Sequence, residues 1–162
     1  RTPEEATGAD LILITTKYSG FRQILDSVKL MTAPHTVVVS ALNGIDSEEL
    51  AGAALGAEHI VYSYMVIVSA RKGDTIVIDP ACPARINFGE LSGEETERTA
   101  ALCRLFDECG IDYHLSDRIV NDQWNKFAIN TLVQRPAIIN NDILVSCITI
   151  SFLNHGICNF HY

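Results

Sequence analysis

The sequence predicts an α/β fold: a parallel sheet with helices against it, an antiparallel extension, and then the start of a helical domain. Three observations carry that reading. Short apolar runs alternate with helical stretches over the first seventy residues. The pattern then gives way to strands joined by a polar turn at "RKGD" (71–74). From 117 onward a helical period returns, in "DRIVNDQWNKFAINTLV" (117–133). The alternation implies right-handed crossovers and strands that lie parallel.

Each element has its own justification. "ADLILITTK" (9–17) is apolar on successive residues, as expected of a strand covered on both faces. "SGFRQILDSVKLM" (19–31) sets Phe21, Ile24, Leu25 and Val28 at helical spacing. "APHT" breaks it, and "VVVSAL" (37–42) is a second buried strand. After the "NG" turn, "DSEELAGAAL" (46–55) opens a helix with Asp46 and Ser47 as N-cap candidates and Glu49 three residues after Asp46. "HIVYSYMVIVSA" (59–70) reads as one long strand, "TIVID" (75–79) and "ARINFGE" (84–90) as the antiparallel extension. "SGEETERTAALCRLFDECG" (92–110) predicts a helix entered at Ser92 or Gly93 and closed at Gly110, a natural left-handed C′ residue. "DYHLS" (112–116) is a short edge strand. Past Val133, a Pro, an Asn pair and many β-branched residues leave no readable period.

Bulk composition excludes several classes of function. The chain has 162 residues, 48% of them hydrophobic and 20% charged, which fits a folded globular protein. A net charge of −8 argues against general nucleic-acid or anionic-membrane binding. An anionic substrate would therefore need a local positive spot. No apolar stretch approaches the length of a membrane span, and no signal peptide follows Arg1. The five cysteines, Cys82, Cys103, Cys109, Cys147 and Cys158, form no Cys-x-x-Cys pair, which suits a reduced, cytoplasmic setting. His155, Cys158 and His161 have a spacing that matches no standard zinc pattern, so no metal is expected.

Four stretches carry chemistry. In "NDQWNKFAIN" (121–130), Lys126 lies among Trp124, Phe127, Ala128 and Ile129. Lys126 and Asn130 fall within about 40° of each other on a helix, and Gln123 shares that side. An ammonium there can give a proton to a ketone oxygen as hydride reaches the carbonyl carbon, and it stabilises the developing alkoxide. The amide of Asn130 can hold a substrate oxygen from the same rigid element. The plainer reading is a surface lysine whose stem covers apolar neighbours. Lys17 follows the first strand and Asn43 the second, at the sheet edge where open α/β folds bind ligands. Their plainer readings are a solvent-facing lysine and ordinary Asn-Gly turn chemistry. Ser69, Arg71 and Lys72 follow the third strand and read equally well as a polar hairpin. A dinucleotide site normally needs Gly-x-Gly-x-x-Gly after its first strand. The chain has none, since "GAALG" (52–56) has the wrong spacing.

Taken in order, "ADLILITTKYSG", "VVVSALNGIDSEEL", "ARKGDTIVI" and "QWNKFAIN" resemble the ketopantoate reductases (2-dehydropantoate 2-reductases), over roughly residues 8 to 133. The resemblance implies a Rossmann-type NADP-binding domain whose C-terminal part is residues 1–116, and an α-helical substrate domain that starts within 117–162. It implies reduction of the 2-oxo acid 2-dehydropantoate to pantoate with NADPH, a step of pantothenate and coenzyme A biosynthesis. Lys126 matches the catalytic proton donor. Asn130 matches a substrate-binding amide, and Asn43 an asparagine near both nicotinamide and substrate. Lys17 matches a lysine that contacts NADP, and Ser69 falls where a small residue lines the cofactor site. Gln134 stands where a second substrate asparagine is usual.

The resemblance also implies that a glycine-rich loop precedes Arg1 and that most of the helical domain follows Val133. On that account the 162 residues alone are inactive and bind NADPH weakly. Two alternatives remain: another β-hydroxyacid dehydrogenase relative, which would share a helical Lys-x-x-x-Asn, and a non-enzymatic module without a phosphate loop. A homo-oligomer stays open.

Overall fold

In a computed structural model, which describes residues 2–78 and 84–139, the expected α/β architecture is present. In chain order the elements are β1 (Leu11–Ile14), α1 (Tyr18–Met31), β2 (Val37–Ser40), α2 (Ser47–Leu55), β3 (Ile60–Val66), β4 (Ser69–Lys72), β5 (Thr75–Ile78), β6 (Arg85–Gly89), α3 (Glu97–Cys109), β7 (Tyr113–Leu115) and α4 (Ile119–Ile139). The main sheet has the order β1-β2-β3-β6-β7. β1, β2 and β3 are mutually parallel, β6 runs antiparallel to β3, and β7 lies parallel to β6 at the edge. The last pair is joined through α3.

The apolar runs explain the layering. Along β2, Val38 belongs to the core that also holds Ile12, Ile14, Phe21, Val28 and Ile60. Its neighbour Val39 belongs to a second core with Val61, Ile86, Phe88, Leu102 and Phe106. Successive side chains of a strand point to opposite faces. A strand covered by helices on both sides must therefore be apolar throughout, and "VVV" meets that need. In the second core, the Phe88 and Phe106 rings meet edge-on with centroids 5.5 Å apart. Phe88 is fully buried.

Several boundaries differ from the sequence expectations. The long strand over 59–70 is two strands. β3 stops at Val66, whose partner Arg85 opens β6, and the chain then departs into a separate two-stranded ribbon. Gly73, at φ +62, makes the tight turn of that ribbon. The helix expected to start at Ser92 or Gly93 starts at Glu97. Thr96 is its cap, and Thr96 and Thr99 exchange side-chain-to-backbone hydrogen bonds. Acidic residues at 94 and 95 imitate a first turn in sequence, but the reciprocal threonine pair satisfies the exposed N–H groups better. Gly110 closes the helix in the left-handed conformation, as expected. Asp46 stands at the N-cap of α2 without a capping hydrogen bond. Its carboxylate accepts from the Tyr18 hydroxyl at 2.5 Å, which ties the start of α1 to that of α2. α4 runs on to Ile139, beyond the stretch where the sequence is readable.

Two contacts fix the C-terminal half of the sheet. Glu90, just after β6, accepts from Arg98 Nε at 2.7 Å and Nη2 at 2.5 Å, and from the Thr96 hydroxyl at 2.7 Å. Arg98 also donates to the Ile60 carbonyl and to that of Glu58. Burial alone would raise the Glu90 carboxyl. The Arg98 and Thr96 hydrogen bonds and the Arg98 charge together hold it below the usual carboxylate range. The second contact is at Gly89. A Cβ there would sit 2.3 Å from the Ser116 carbonyl oxygen, so only glycine lets the chain between β7 and α4 lie against β6.

Replacing Glu90 should leave Arg98 half-buried without its partner and lower stability by about 2–3 kcal/mol for Glu90→Ala at neutral pH. A carboxyl lowered in the folded state stabilises above its unfolded pKa, and that contribution disappears as pH falls through the folded value. Urea melts at pH 7 and pH 3 should therefore show the gap between wild type and Glu90→Ala shrink at the lower pH. A gap that is constant with pH would show that the ion pair does not contribute.

Among the described residues β1 pairs with β2 alone, whereas β2 is paired on both sides, so "LILI" lies at an edge of the sheet and "VVVS" does not. Leu13 there is half exposed. An open apolar edge strand invites pairing between chains. The 162-residue chain, prepared alone, should self-associate as concentration rises, and Leu13→Lys should reduce the effect. Static light scattering reads both; a monomer at all concentrations would contradict it.

Candidate active site

The site is built where β2 ends and β3 goes on. The parallel pairing of β3 with β2 covers Val38–Ile60 and Val39–Val61. Beyond that the chain leaves β2 for the Asn43 turn, while β3 runs five residues further. Along a strand, alternate residues turn their N–H and C=O to the same side. Ser63 and Met65, on the same side as Val61, thus face the place that β2 has vacated. Buried backbone groups need partners, and side chains supply them.

Ser63 N–H donates to Glu48 Oε1 at 3.2 Å, and the Ser63 carbonyl accepts from Gln123 Nε2 at 2.9 Å. The Ser63 hydroxyl closes back onto the Ser40 carbonyl at 2.6 Å. The Met65 carbonyl accepts from Lys126 Nζ at 2.6 Å. Gln123 and Lys126 are three residues apart on α4, and Ser63 and Met65 are two apart on β3. The helix is therefore clipped to the strand at two successive points.

The second hydrogen bond of the Lys126 ammonium goes to Asn43 Oδ1, at 3.0 Å. Gly44 next to it is at φ +127, a conformation that favours glycine, and the turn so formed brings the Asn43 side chain to the lysine. The turn chemistry expected of Asn-Gly is present, and the same turn brings Asn43 to Lys126. Lys126 also lies 5.4 Å from the centre of the Tyr64 ring. Burial lowers the Lys126 ammonium to about 8, and the Glu48 charge opposes part of that effect. Burial also pushes the Tyr64 phenol up to about 12, so it stays neutral beside the lysine.

The other residues singled out in the sequence are more dispersed. Lys17 is exposed and stands at the N-cap of α1, just past the end of β1, on the same sheet edge as Asn43. Asn130 is half-buried one turn beyond Lys126. Ser69 is exposed at the start of the ribbon, opposite Ile78. The Lys126 hydrogen bonds go to Asn43 and Met65, and none among the described residues joins it to Lys17, Ser69 or Asn130. Trp124 and Phe127, the aromatic neighbours of Lys126, are exposed and meet edge-on at 6.0 Å. Gln134, Cys82, Cys147, Cys158, His155 and His161 lie where no side chain is described. Among the described residues, Cys103 and Cys109 are free thiols, and no group of three or more His, Cys, Asp or Glu could hold a metal.

Sequence reading missed Glu48. It is 2% exposed, and its carboxylate takes hydrogen bonds from Ser63 N–H, from Gln123 Nε2 at 2.7 Å and from the Ser47 hydroxyl at 2.6 Å. Burial raises its pKa, and those donors pull it back in part. A signal existed: Glu48 shares a helical face with the buried Ala51 and with Leu55, which packs against the core. An open cavity of about 560 Å³ between α2 and the Glu90–Arg98 pair is lined partly by Glu48 and Glu49, but Lys126 is not in its wall.

Known proteins share the fold described above. The pattern that defines the family described as "Ketopantoate reductase PanE/ApbA" matches residues 1–93. The "Uncharacterized oxidoreductase YkpB" of Bacillus subtilis (strain 168) is 30% identical over 134 residues, which are 78% of this chain and 44% of that protein. The crystal structure of 2-dehydropantoate 2-reductase from Methylococcus capsulatus is similar with a TM-score of 0.72 at 25% identity, over 86% of this chain and 45% of that one. D-mandelate dehydrogenase, solved with NADH and anilino(oxo)acetate, shares the fold with a TM-score of 0.70 at 21% identity, over 82% of this chain and 42% of that one. The chain thus spans less than half the length of the curated relative it matches. With its first 93 residues matching that pattern, the chain belongs to the ketopantoate reductase PanE/ApbA family, whose members and structural neighbours are oxidoreductases.

Proposed function

We propose that the whole protein is a cytoplasmic enzyme that reduces a small 2-oxo acid, 2-dehydropantoate, to the 2-hydroxy acid pantoate with NADPH. Lys126 is the proton donor in this reading. The observation that carries it is the Lys126 ammonium, held at 3.0 Å from Asn43 Oδ1 and 2.6 Å from the Met65 carbonyl, at the C-terminal edge of the parallel strands, past the end of β2 and beside that of β3. In open α/β sheets that edge is where ligands bind.

The ammonium has three N–H groups. Two are taken by Asn43 and Met65, which leaves the third for a substrate. A ketone oxygen in its path would be polarised and then protonated as the carbonyl carbon is reduced. The residues at hand suit a nicotinamide dinucleotide: Lys17 offers an exposed cation past β1, Asn43 an amide past β2, and Ser69 a hydroxyl at the ribbon. When bound, that group supplies the hydride to the carbonyl carbon. Asn130, one turn along α4, presents its amide to the substrate. The division of labour assigns residues 1–116 to cofactor binding and the chain from 117 to the substrate side.

Steady-state kinetics on the full-length protein, with 2-dehydropantoate and NADPH, test this. Lys126→Ala should lower kcat by roughly 10²–10⁴-fold and leave NADPH affinity nearly unchanged. Asn130→Ala should act mainly on the substrate, by roughly 1–3 kcal/mol, with part of the loss in kcat. Parental kcat in Lys126→Ala would end the proton-donor reading. Full activity with another 2-oxo acid and none with 2-dehydropantoate would move the protein to a different substrate within the same chemistry.

A lysine lowered to about 8 also predicts a pH profile. The donor must be protonated, so kcat/KM should fall as pH rises through about 8. A profile flat to pH 10 would show that another group gives the proton.

A further inference from the structure

We propose that Glu48 is the positioning residue for Lys126: its buried carboxylate grips Gln123, sets the height of α4 against β3, and supplies the negative charge that keeps the half-buried lysine protonated. The proposal rests on the reading of Lys126 as proton donor.

The geometry is specific. Glu48 is in the first turn of α2, and both its oxygens are engaged. Oε1 accepts from Gln123 and Ser63 N–H, and Oε2 from Ser47, whose hydroxyl in turn accepts from Ser40 at 2.9 Å. Every partner donates, which is the arrangement that suits an ionised carboxylate, an acceptor only. Gln123 divides its amide protons between Glu48 and the Ser63 carbonyl. That fork fixes α4 at one point, and Lys126 reaches the next carbonyl on the same side of β3, Met65. A shift of α4 by one residue would break both. Glu48 thus links α2, β3 and α4 at the level of the lysine.

Tyr64, the aromatic neighbour of Lys126, and the charged groups that act on it have other duties. Tyr64 on β3 is a neutral phenol. Arg85 on β6 is paired with Asp112 at 2.8 Å. Asp122 on α4 accepts from Ser116 at 2.7 Å and lies 3.5 Å from Arg118. Glu48 is the group whose charge opposes the effect of burial on Lys126.

The test uses full-length Glu48→Gln and Gln123→Met. Glu48→Gln keeps an oxygen that can accept from Gln123 but removes the charge. It should fold with an unchanged or higher Tm, because a neutral amide costs less to bury than a carboxylate. The Lys126 titration, read by NMR of the ¹³Cε-labelled lysine, should nevertheless move down by roughly 1 pH unit, and the alkaline limb of kcat/KM should move with it. Gln123→Met keeps the charge and cuts the tie. It should leave the titration near its parental position while kcat falls about tenfold or more. A folded Glu48→Gln with an unmoved Lys126 titration overturns the electrostatic role. Parental kcat in Gln123→Met overturns the positioning role, and it decides alone if Glu48→Gln does not fold. The NMR titration reads Lys126 without catalysis. Failure of the proton-donor reading would appear separately, as parental kcat in Lys126→Ala.

Discussion

A strand that outlasts its neighbour leaves buried peptide groups with nothing to bond. β3 continues past the end of β2, and Ser63 and Met65 face the vacated space. Water cannot satisfy groups as deeply buried as Ser63, and an unpaired one costs on the order of 1–3 kcal/mol. The fold answers with three polar side chains from two helices: Glu48 from α2, Gln123 and Lys126 from α4. These same contacts dock α4 on the sheet. Completion of the strand and construction of the site are one event, so the candidate chemistry sits where the fold most needs polar side chains.

This arrangement also explains how an acidic chain can hold a lone cation in a half-dry place. With a net charge of −8, the protein offers no general field that attracts an anionic substrate. Lys126 is a local exception, made bearable by two carbonyl-type acceptors, an aromatic face and one nearby carboxylate. Burial and the carboxylate act in opposite directions on its proton, and burial is the larger. The balance lowers the ammonium to about 8, a useful condition for the proton donor proposed above.

Much of this was legible in sequence, for identifiable reasons. The parallel strands declared themselves because a strand covered on both faces has to be apolar at every position, as "VVV" is. Lys126 stood out because an ammonium among Trp124, Phe127 and Ile129 is uncommon, and Asn43 because Asn-Gly marks a turn past a strand end. Ser92 and Gly93 misled because an acidic run imitates a helix start, whereas the cap is a Thr96–Thr99 exchange visible only in three dimensions. Glu48 was hidden for a different reason. Its neighbour Glu49 is equally acidic and is exposed; helical spacing with Ala51 and Leu55 points Glu48 inward, but its partner at Ser63 depends on where β2 stops, a fact about pairing that local sequence does not carry. The family pattern covers residues 1–93 and so does not reach Lys126, whose proposed role rests on its geometry and on the resemblance of "QWNKFAIN".

The chain's only tryptophan, Trp124, lies two residues before Lys126 and is half exposed against Phe127. Indole emission is sensitive to solvent and to contact with neighbouring groups. The tryptophan emission of these 162 residues, excited beyond the tyrosine band, is therefore a single-site reporter carried on α4 itself. Whatever comes to lie against that helix, whether more of the protein or a ligand, would change the colour and yield of one fluorophore whose place relative to the lysine is fixed by less than a turn of helix.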